Sequence, residues 1–236
     1  MHSRATFTGV IAACLSVLTS SVAVAKEHPD TSVSPAVAMA RLKAGNARFV
    51  ANPVSKQKPL AARRAETAWT QHPFAIIVGC ADSRTSPELI FDQNIGDLFV
   101  IRTAGNLIDD HGLGSIEYAV DHLGTRLIVV LGHQRCGAVK AALASATAPG
   151  HVNSLVRDIQ PAVAAAKSQK GDPLANTVKA NARLVAEKIG KEAEFGEHKS
   201  EVRIVTGYYD LDTGVVKWLG ADKTEIGTVG RHSEEP

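Results

Sequence analysis

Cysteine is scarce in this chain, which limits how far covalent cross-links can stabilise it. Cys14, Cys80 and Cys136 are the three cysteines among 236 residues, so the chain can form at most one internal disulfide. Hydrophobic residues make up 44% of the sequence, an ordinary share for a globular protein. We therefore predict a single domain with one sizeable hydrophobic core.

An excess of charge of one sign is also lacking. The formal net charge is +2 at pH 7, and the Lys and Arg residues are scattered along the chain. Proteins that bind nucleic acid usually carry a basic patch or stripe, so we predict no nucleic-acid partner. A small molecule is the better expectation for the substrate.

A clearly membrane-spanning apolar run is missing, although the N-terminus carries a shorter apolar stretch. Residues 1–4 are a short basic start, 7–18 are apolar, and small residues at 23–25 precede Lys26. This pattern is typical of a secretory signal peptide. We therefore predict cleavage after Ala25, a periplasmic or secreted location, and no membrane association after cleavage. One alternative is an uncleaved anchor, for which the apolar stretch is short. The other is a lipid on Cys14, which would leave the rest of the apolar run on the mature protein.

Signal cleavage would remove Cys14 and leave Cys80 and Cys136. In an oxidising compartment, two such cysteines most simply form a disulfide. A disulfide does not explain why Asp82 and His133 stand beside those cysteines. We therefore favour a bound metal, which would also protect the thiolates from oxidation.

Short apolar runs alternate with helical patterns through the middle of the chain. The runs at 74–79, 98–101 and 127–131 are typical of buried parallel strands. Ser86, Pro87 and Glu88 together indicate the start of a helix. We predict an α/β fold with a central, mainly parallel sheet flanked by helices on both faces. Further helices are predicted at 113–123, 137–146 and 175–189, and closing strands at 202–207 and 215–219.

The predicted domain extends from 35 to 220. Residues 1–25 are assigned to the signal peptide, 26–34 to a flexible N-terminal segment and 221–236 to a polar tail. An amphipathic helix is predicted to begin at Pro35, with Leu42 and Phe49 on its apolar side. Asn46 and Arg48 are predicted to face water.

Two of the predicted strands end in residues that bind metals. Cys80 and Asp82 follow the first strand, and His133 and Cys136 follow the third. Ligands of parallel α/β sheets bind outside the carboxyl ends of the strands, so the two segments are expected to meet. Zinc binds cysteine sulfur, histidine nitrogen and carboxylate oxygen, and a catalytic zinc site keeps one position open to water. We predict one Zn²⁺ per chain on Cys80, His133 and Cys136, with Asp82 as a movable fourth ligand.

Four blocks of the sequence closely resemble the β-class carbonic anhydrases. They are CADSR at 80–84, FVIRTAGN at 99–106, GSIEYA at 114–119 and GHQRCG at 132–137. The likeness extends from Val37 to Leu219. It implies the β-carbonic anhydrase fold with an N-terminal helical arm that reaches over a partner subunit. It also implies zinc-dependent, reversible hydration of carbon dioxide to bicarbonate and a proton, and a homodimer or homotetramer.

Asp82 and Arg84 lie two residues apart, so on an extended segment they can point the same way. A guanidinium matches a carboxylate with two parallel hydrogen bonds. With Arg84 holding Asp82, the metal keeps an open position, whereas a released Asp82 would fill it. The resemblance implies that both residues are catalytic; the alternative is a surface ion pair of little consequence.

The resemblance also implies a substrate pocket. Gln71 would donate an amide hydrogen to bicarbonate, while Phe99 and Tyr118 would form the pocket wall, in part from the partner chain. The alternative for the two aromatic residues is an ordinary role in the core.

Some members of the family have a second, inhibitory bicarbonate site made of a tryptophan, an arginine and a tyrosine. Arg102 and Tyr209 match two of these residues, but Ile77 stands at the tryptophan position. We therefore predict no strong cooperative inhibition by bicarbonate.

Three other functions stay open at this point. Hydrolysis of carbonyl sulfide or carbon disulfide would need the same metal site. A non-catalytic zinc protein would hold four permanent ligands. Nucleotide binding is disfavoured, because the spacing of Gly105, Gly112 and Gly114 does not match a strand-to-helix glycine fingerprint.

Two thiolate ligands would neutralise the charge of the zinc ion. Its effect on the pKa of water would then be weaker than in a site of three histidines. We therefore predict an activity that rises toward alkaline pH.

Overall fold

The computed structural model describes residues 32–51 and 58–220. The predicted signal peptide, its cleavage site, Cys14 and the tail at 221–236 lie outside the described residues, as does the segment 26–34 up to residue 31. In the described ranges, no helix is both long and apolar enough to cross a membrane.

A five-stranded sheet forms the centre of the domain. Its strand order is β2-β1-β3-β4-β5. Strands β1 to β4 pair in parallel, and β5 is antiparallel to β4. The mainly parallel sheet predicted from the apolar runs is confirmed. The strands are β1 Ala75–Cys80, β2 Leu98–Thr103, β3 Leu127–His133, β4 Arg203–Tyr209 and β5 Val216–Trp218.

Helices connect the parallel strands and begin at residues suited to that position. Proline at the first position begins α3 and α7. The side chain of Asp172 caps α7, and that of Asp109 caps α4 by accepting from the Gly112 amide at 2.9 Å. The helices are α1 Pro35–Ala51, α2 Leu60–Glu66, α3 Pro87–Ile90, α4 Asp110–Asp121, α5 Gly137–Ala144, α6 Val152–Ala166 and α7 Pro173–Glu192.

The two faces of the sheet are both covered, as predicted. Alternate residues of β1 point to opposite faces. Ile77 packs in a cluster that contains Leu42 of α1 and Ile90 of α3. Ile76 packs in a second cluster, which contains Ile116 of α4 and Ile189 of α7. Burial on both sides explains why β1 and β3 are continuous apolar runs.

Asn46 corrects the predicted orientation of α1. It was expected to face water, but it is buried at 7% exposure. Its Nδ2 donates to the carbonyls of Ile90 at 3.1 Å and Gly214 at 2.8 Å, and its Oδ1 accepts from the Val216 amide at 2.9 Å. A buried amide is tolerated where it satisfies backbone groups that would otherwise lack a partner. The predicted water-facing Arg48 is half-exposed and pairs with Asp92 at 2.6 Å.

Neighbouring strands bring the two predicted metal-binding segments together. Strands β1 and β3 are adjacent and parallel, with Gly79 level with Leu131. Cys80 ends β1 and His133 ends β3. Their side chains therefore leave the sheet at the same edge, where ligands of α/β sheets bind.

Candidate metal centre

Three donor side chains converge at the carboxyl edge of the sheet. The ligand atoms of Cys80, His133 and Cys136 all lie within 4.8 Å of one another, and all three residues are buried. The two sulfur atoms are 4.0 Å apart and are not joined by a covalent bond. A disulfide would require about 2.05 Å, so the disulfide alternative is not the arrangement of this structure.

The imidazole of His133 is oriented toward this cluster. Its Nδ1 lies 2.9 Å from the carbonyl oxygen of Gln134, and because a carbonyl can only accept, Nδ1 carries the proton. Nε2 of the neutral ring is then a bare acceptor, and it is buried with no hydrogen-bond partner. Buried polar atoms are nearly always satisfied. A cation bound between this nitrogen and the two sulfurs would satisfy it, so the donor set fits zinc.

The two thiols influence each other strongly. The pKa of Cys80 is lowered, chiefly because the Cys136 thiol donates a hydrogen bond to its thiolate. The pKa of Cys136 is raised because it is that donor, and burial raises it further. The protein alone therefore favours one thiolate of the two. A divalent cation would stabilise both, because a thiol that coordinates zinc is deprotonated.

Backbone amides also stabilise negative charge on the two sulfurs. Cys136 lies at the N-cap of α5, where it makes no side-chain capping hydrogen bond, but the nearby amides of Val139 and Ala138 act to lower the pKa of its thiol. The amide of Gly105 donates to Cys80 Sγ at 3.2 Å. Gly105 has φ of 73°, which favours glycine. Sequence reasoning weighed Gly105 only as part of a nucleotide motif and missed this role.

Arg84 holds the carboxylate of Asp82 at the edge of the cluster. Arg84 Nε donates to Oδ1 at 2.9 Å and Nη2 to Oδ2 at 2.8 Å, while the Arg84 amide also donates to Oδ1 at 3.0 Å. These contacts hold the pKa of Asp82 well below its usual range and raise that of Arg84. Asp82 Oδ2 lies 3.8 Å from His133 Nε2. The carboxylate is thus beside the donor set and engaged with Arg84.

Arg102 is a second arginine at this edge. It lies on β2, and its Nε donates to the Cys80 carbonyl at 2.8 Å while Nη2 donates to the Asp82 carbonyl at 2.5 Å. Arg102 therefore fixes the backbone of the segment that carries Cys80 and Asp82. Sequence reasoning matched it only to an inhibitory site. The register of β2 with β1, which a sequence does not give, is what reveals this contact.

The other two residues considered for the inhibitory site lie in the sheet. Tyr209 ends β4, and Ile77 is a fully buried residue of β1. The side chain of Ile77 belongs to the core. The prediction about bicarbonate inhibition stays a prediction.

The predicted pocket residues are not gathered around the donor set within one chain. Gln71 is exposed and precedes β1, whereas Cys80 ends that strand. Phe99 is level with Ile76, four residues before the position opposite Cys80, which is about 13 Å along a strand. Tyr118 is exposed on α4 and lies against the ring of His122. Their pocket roles stay predictions that need a second copy of the chain.

Comparison with known proteins identifies relatives of this domain. A family model described as carbonic anhydrase matches residues 75–216. The chain is similar to "Carbonic anhydrase 2" of Mycobacterium tuberculosis, with 51% identity over 139 residues that make up 57% of this chain and 66% of the relative. The match thus spans slightly less than two thirds of that relative.

Solved structures share the fold. The β-carbonic anhydrase of Coccomyxa, in complex with acetazolamide, has a TM-score of 0.60 at 30% identity, over 67% of this chain and 77% of that chain. A structure of tetrameric β-carbonic anhydrases from Sordaria macrospora has a TM-score of 0.61 at 22% identity, over 68% and 91% of the two chains. The predicted fold class is confirmed.

Proposed function

Since the chain belongs to the β-class carbonic anhydrases, we propose that it catalyses the reversible hydration of carbon dioxide to bicarbonate and a proton. One observation carries the proposal. Two cysteine sulfurs and the partnerless Nε2 of His133 converge in a buried cluster, and Asp82 is held beside that cluster by Arg84.

Cys80, His133 and Cys136 would hold one Zn²⁺. When bound, zinc lowers the pKa of water and so supplies a hydroxide nucleophile near neutral pH. The protein holds the three metal ligands in position and places a carboxylate next to them. Asp82, kept ionised by Arg84, would accept a hydrogen bond from that water molecule and orient it.

The Asp82–Arg84 pair supports a catalytic site over a purely structural zinc site. A structural zinc site is closed by four protein ligands. Here the three gathered donors exclude Asp82, whose two carboxylate oxygens both accept from Arg84. A zinc ion held by these three residues would therefore keep its fourth position for a small molecule.

We expect the zinc-loaded protein to accelerate carbon dioxide hydration in a stopped-flow assay. The rate should rise between pH 6 and pH 9, because two thiolates weaken the effect of the ion on water. Asp82 does not titrate in this range, since its pKa is lowered and the pair with Arg84 is lost only under strongly acidic conditions.

A chelator arm provides the control for this assay. Removing the metal should bring the rate to background, and adding Zn²⁺ should restore it. A zinc-loaded protein without chelator-sensitive hydration at any of these pH values contradicts the proposal. Activity on carbonyl sulfide or carbon disulfide alone would favour the sulfur-substrate alternative.

We also propose that the protein is a homo-oligomer, at least a dimer. Helix α2 has no buried residue in the single chain, which is unusual for a helix that is stable in water. Leu60 on this helix is 65% exposed, and Trp69 just after it is 97% exposed. Arg63 ties α2 to Asp97 at 2.8 Å, so this apolar surface has a fixed position from which it can pack on a second copy.

We expect Trp69→Ser to weaken the association of subunits. Buried tryptophans are frequent hot spots, and a loss of about 2 kcal/mol raises a dissociation constant about 30-fold. Sedimentation velocity over a dilution series measures this change. The matched control is Val152→Ser, which alters an exposed apolar residue of α6. A wild-type protein that is monomeric at micromolar concentration contradicts the proposal.

A further inference from the structure

Two residues, Gln134 and Arg135, separate the metal-binding residues His133 and Cys136 in the sequence. Strand β3 ends at His133, and Cys136 is the N-cap of α5. The chain must therefore turn sharply between the two donors. Arg135 makes this turn with φ of 56°, in the left-handed region that side chains other than glycine rarely adopt. Such a conformation persists where surrounding contacts hold it.

Those contacts come from the turn between β4 and β5. Asp212 in this turn accepts from Arg135 Nη1 at 2.9 Å and Nη2 at 2.7 Å, and from Gln134 Nε2 at 3.0 Å. Gln134 Oε1 accepts from the Leu211 amide at 3.0 Å. One carboxylate therefore binds the side chains of both residues that connect His133 to Cys136.

The turn itself is well ordered by its own hydrogen bonds. The amides of Asp212 and Thr213 both donate to Asp210 Oδ1 at 3.1 Å. The Gln134 amide donates to the Tyr209 carbonyl at 2.8 Å, at the end of β4. We call residues 134–135, which connect the two metal ligands, the donor loop, and the contacts of Asp212 with them the clamp. The clamp is thus anchored to the sheet.

We propose that Asp212 is a positioning residue for the metal centre. By holding Gln134 and Arg135, it keeps His133 and Cys136 directed at the same point and so raises the affinity for Zn²⁺. The inference rests on zinc as the metal of the proposed function, and it deepens that function without depending on turnover.

The alternative is an ordinary surface ion pair. Arg135 and Asp212 have side chains that are 49% and 59% exposed, and exposed pairs often contribute little to stability. The two readings differ in what they affect. If this is only a surface ion pair, its removal should change the free energy of unfolding slightly or not at all. If Asp212 is a clamp on the donor loop, its removal should weaken zinc binding in particular.

The test compares Asp212→Ala with wild type by titrating metal-free protein with Zn²⁺ against a chromophoric chelator. Removing a residue that orients metal ligands typically lowers affinity 10-fold to 100-fold, and we expect a loss of about 10-fold. Asp212→Asn keeps one acceptor oxygen and should lose less. The matched control is Asp158→Ala, which breaks the exposed Arg157–Asp158 pair of α6 and should leave the zinc affinity within about twofold.

Thermal unfolding of the metal-free variants separates the two readings. The proposal expects melting temperatures close to wild type together with weaker zinc binding. An unchanged zinc affinity in Asp212→Ala overturns the proposal. An equal loss of zinc affinity in Asp158→Ala also overturns it. If Asp212→Ala does not fold, Asp212→Asn decides by the same criterion. Wild-type protein that binds Zn²⁺ but hydrates no carbon dioxide would overturn the proposed function and leave this inference standing.

Discussion

Replacing Cys136 with serine should remove both the metal and the activity while leaving the domain folded. Serine offers a neutral hydroxyl in place of a thiolate, and zinc strongly prefers the sulfur. We expect the zinc content to fall from about one ion per chain to a small fraction of that. Hydration should fall by about 10³-fold or more, because a metal Lewis acid supplies several kcal/mol of transition-state stabilisation.

The fold should survive this change because of where Cys136 lies. It is the N-cap of α5, where the nearby amides of Val139 and Ala138 act to lower the pKa of its thiol. Serine is among the best N-cap residues and can accept from these amides. Circular dichroism and thermal unfolding of the metal-free proteins provide the control. A variant that keeps stoichiometric zinc and near-normal hydration would show that Cys136 is not a ligand.

The three metal ligands could be predicted from the sequence because the patterns that place them are local in the chain. Apolar runs of strand length identify β1 and β3, and parallel strands direct their carboxyl ends to one edge of the sheet. Cys80 and His133 end these two strands. Their convergence therefore follows once the strands are adjacent, and the structure confirms that adjacency.

Contacts between distant segments could not be predicted in the same way. Asn46 looks like a surface residue in a helical pattern, yet it lies 170 residues from Val216 and bonds to that amide. Arg102 reaches Cys80 and Asp82 only through the register of β2 with β1. Asp212 meets Arg135 because β4 lies beside β3. Each contact depends on tertiary placement, which residue spacing does not encode.

Arg84→Ala is the second substitution with a large expected effect, and it should separate turnover from metal content. The side chain of Arg84 donates its hydrogen bonds to Asp82 and not to the metal-ligand atoms of Cys80, His133 or Cys136. The zinc content should therefore stay near one ion per chain. The two side-chain hydrogen bonds of Arg84 to Asp82 are both charge-assisted and together fix the direction of that carboxylate. Losing the orientation they provide should lower kcat about 10-fold to 100-fold.

Two further variants test the cause of this loss. Arg84→Lys keeps the charge but cannot form the two parallel bonds, so its kcat should stay well below wild type. Arg157→Ala breaks another exposed arginine–aspartate pair, on α6, and should leave kcat unchanged. Wild-type kcat in Arg84→Ala would remove Arg84 from the mechanism.

The double variant Arg84→Ala with Asp82→Asn shows whether a freed carboxylate does the damage. Asp82 Oδ2 already lies 3.8 Å from His133 Nε2, so without Arg84 the carboxylate can move onto the donor set and fill the open position. Asparagine is a weaker zinc ligand because it carries no charge. If the carboxylate of Asp82 slows the Arg84→Ala variant by filling that position, adding Asp82→Asn to Arg84→Ala should lower the activity little further. If Asp82 instead stays off the metal and still orients water, the double variant should be clearly slower than Arg84→Ala alone.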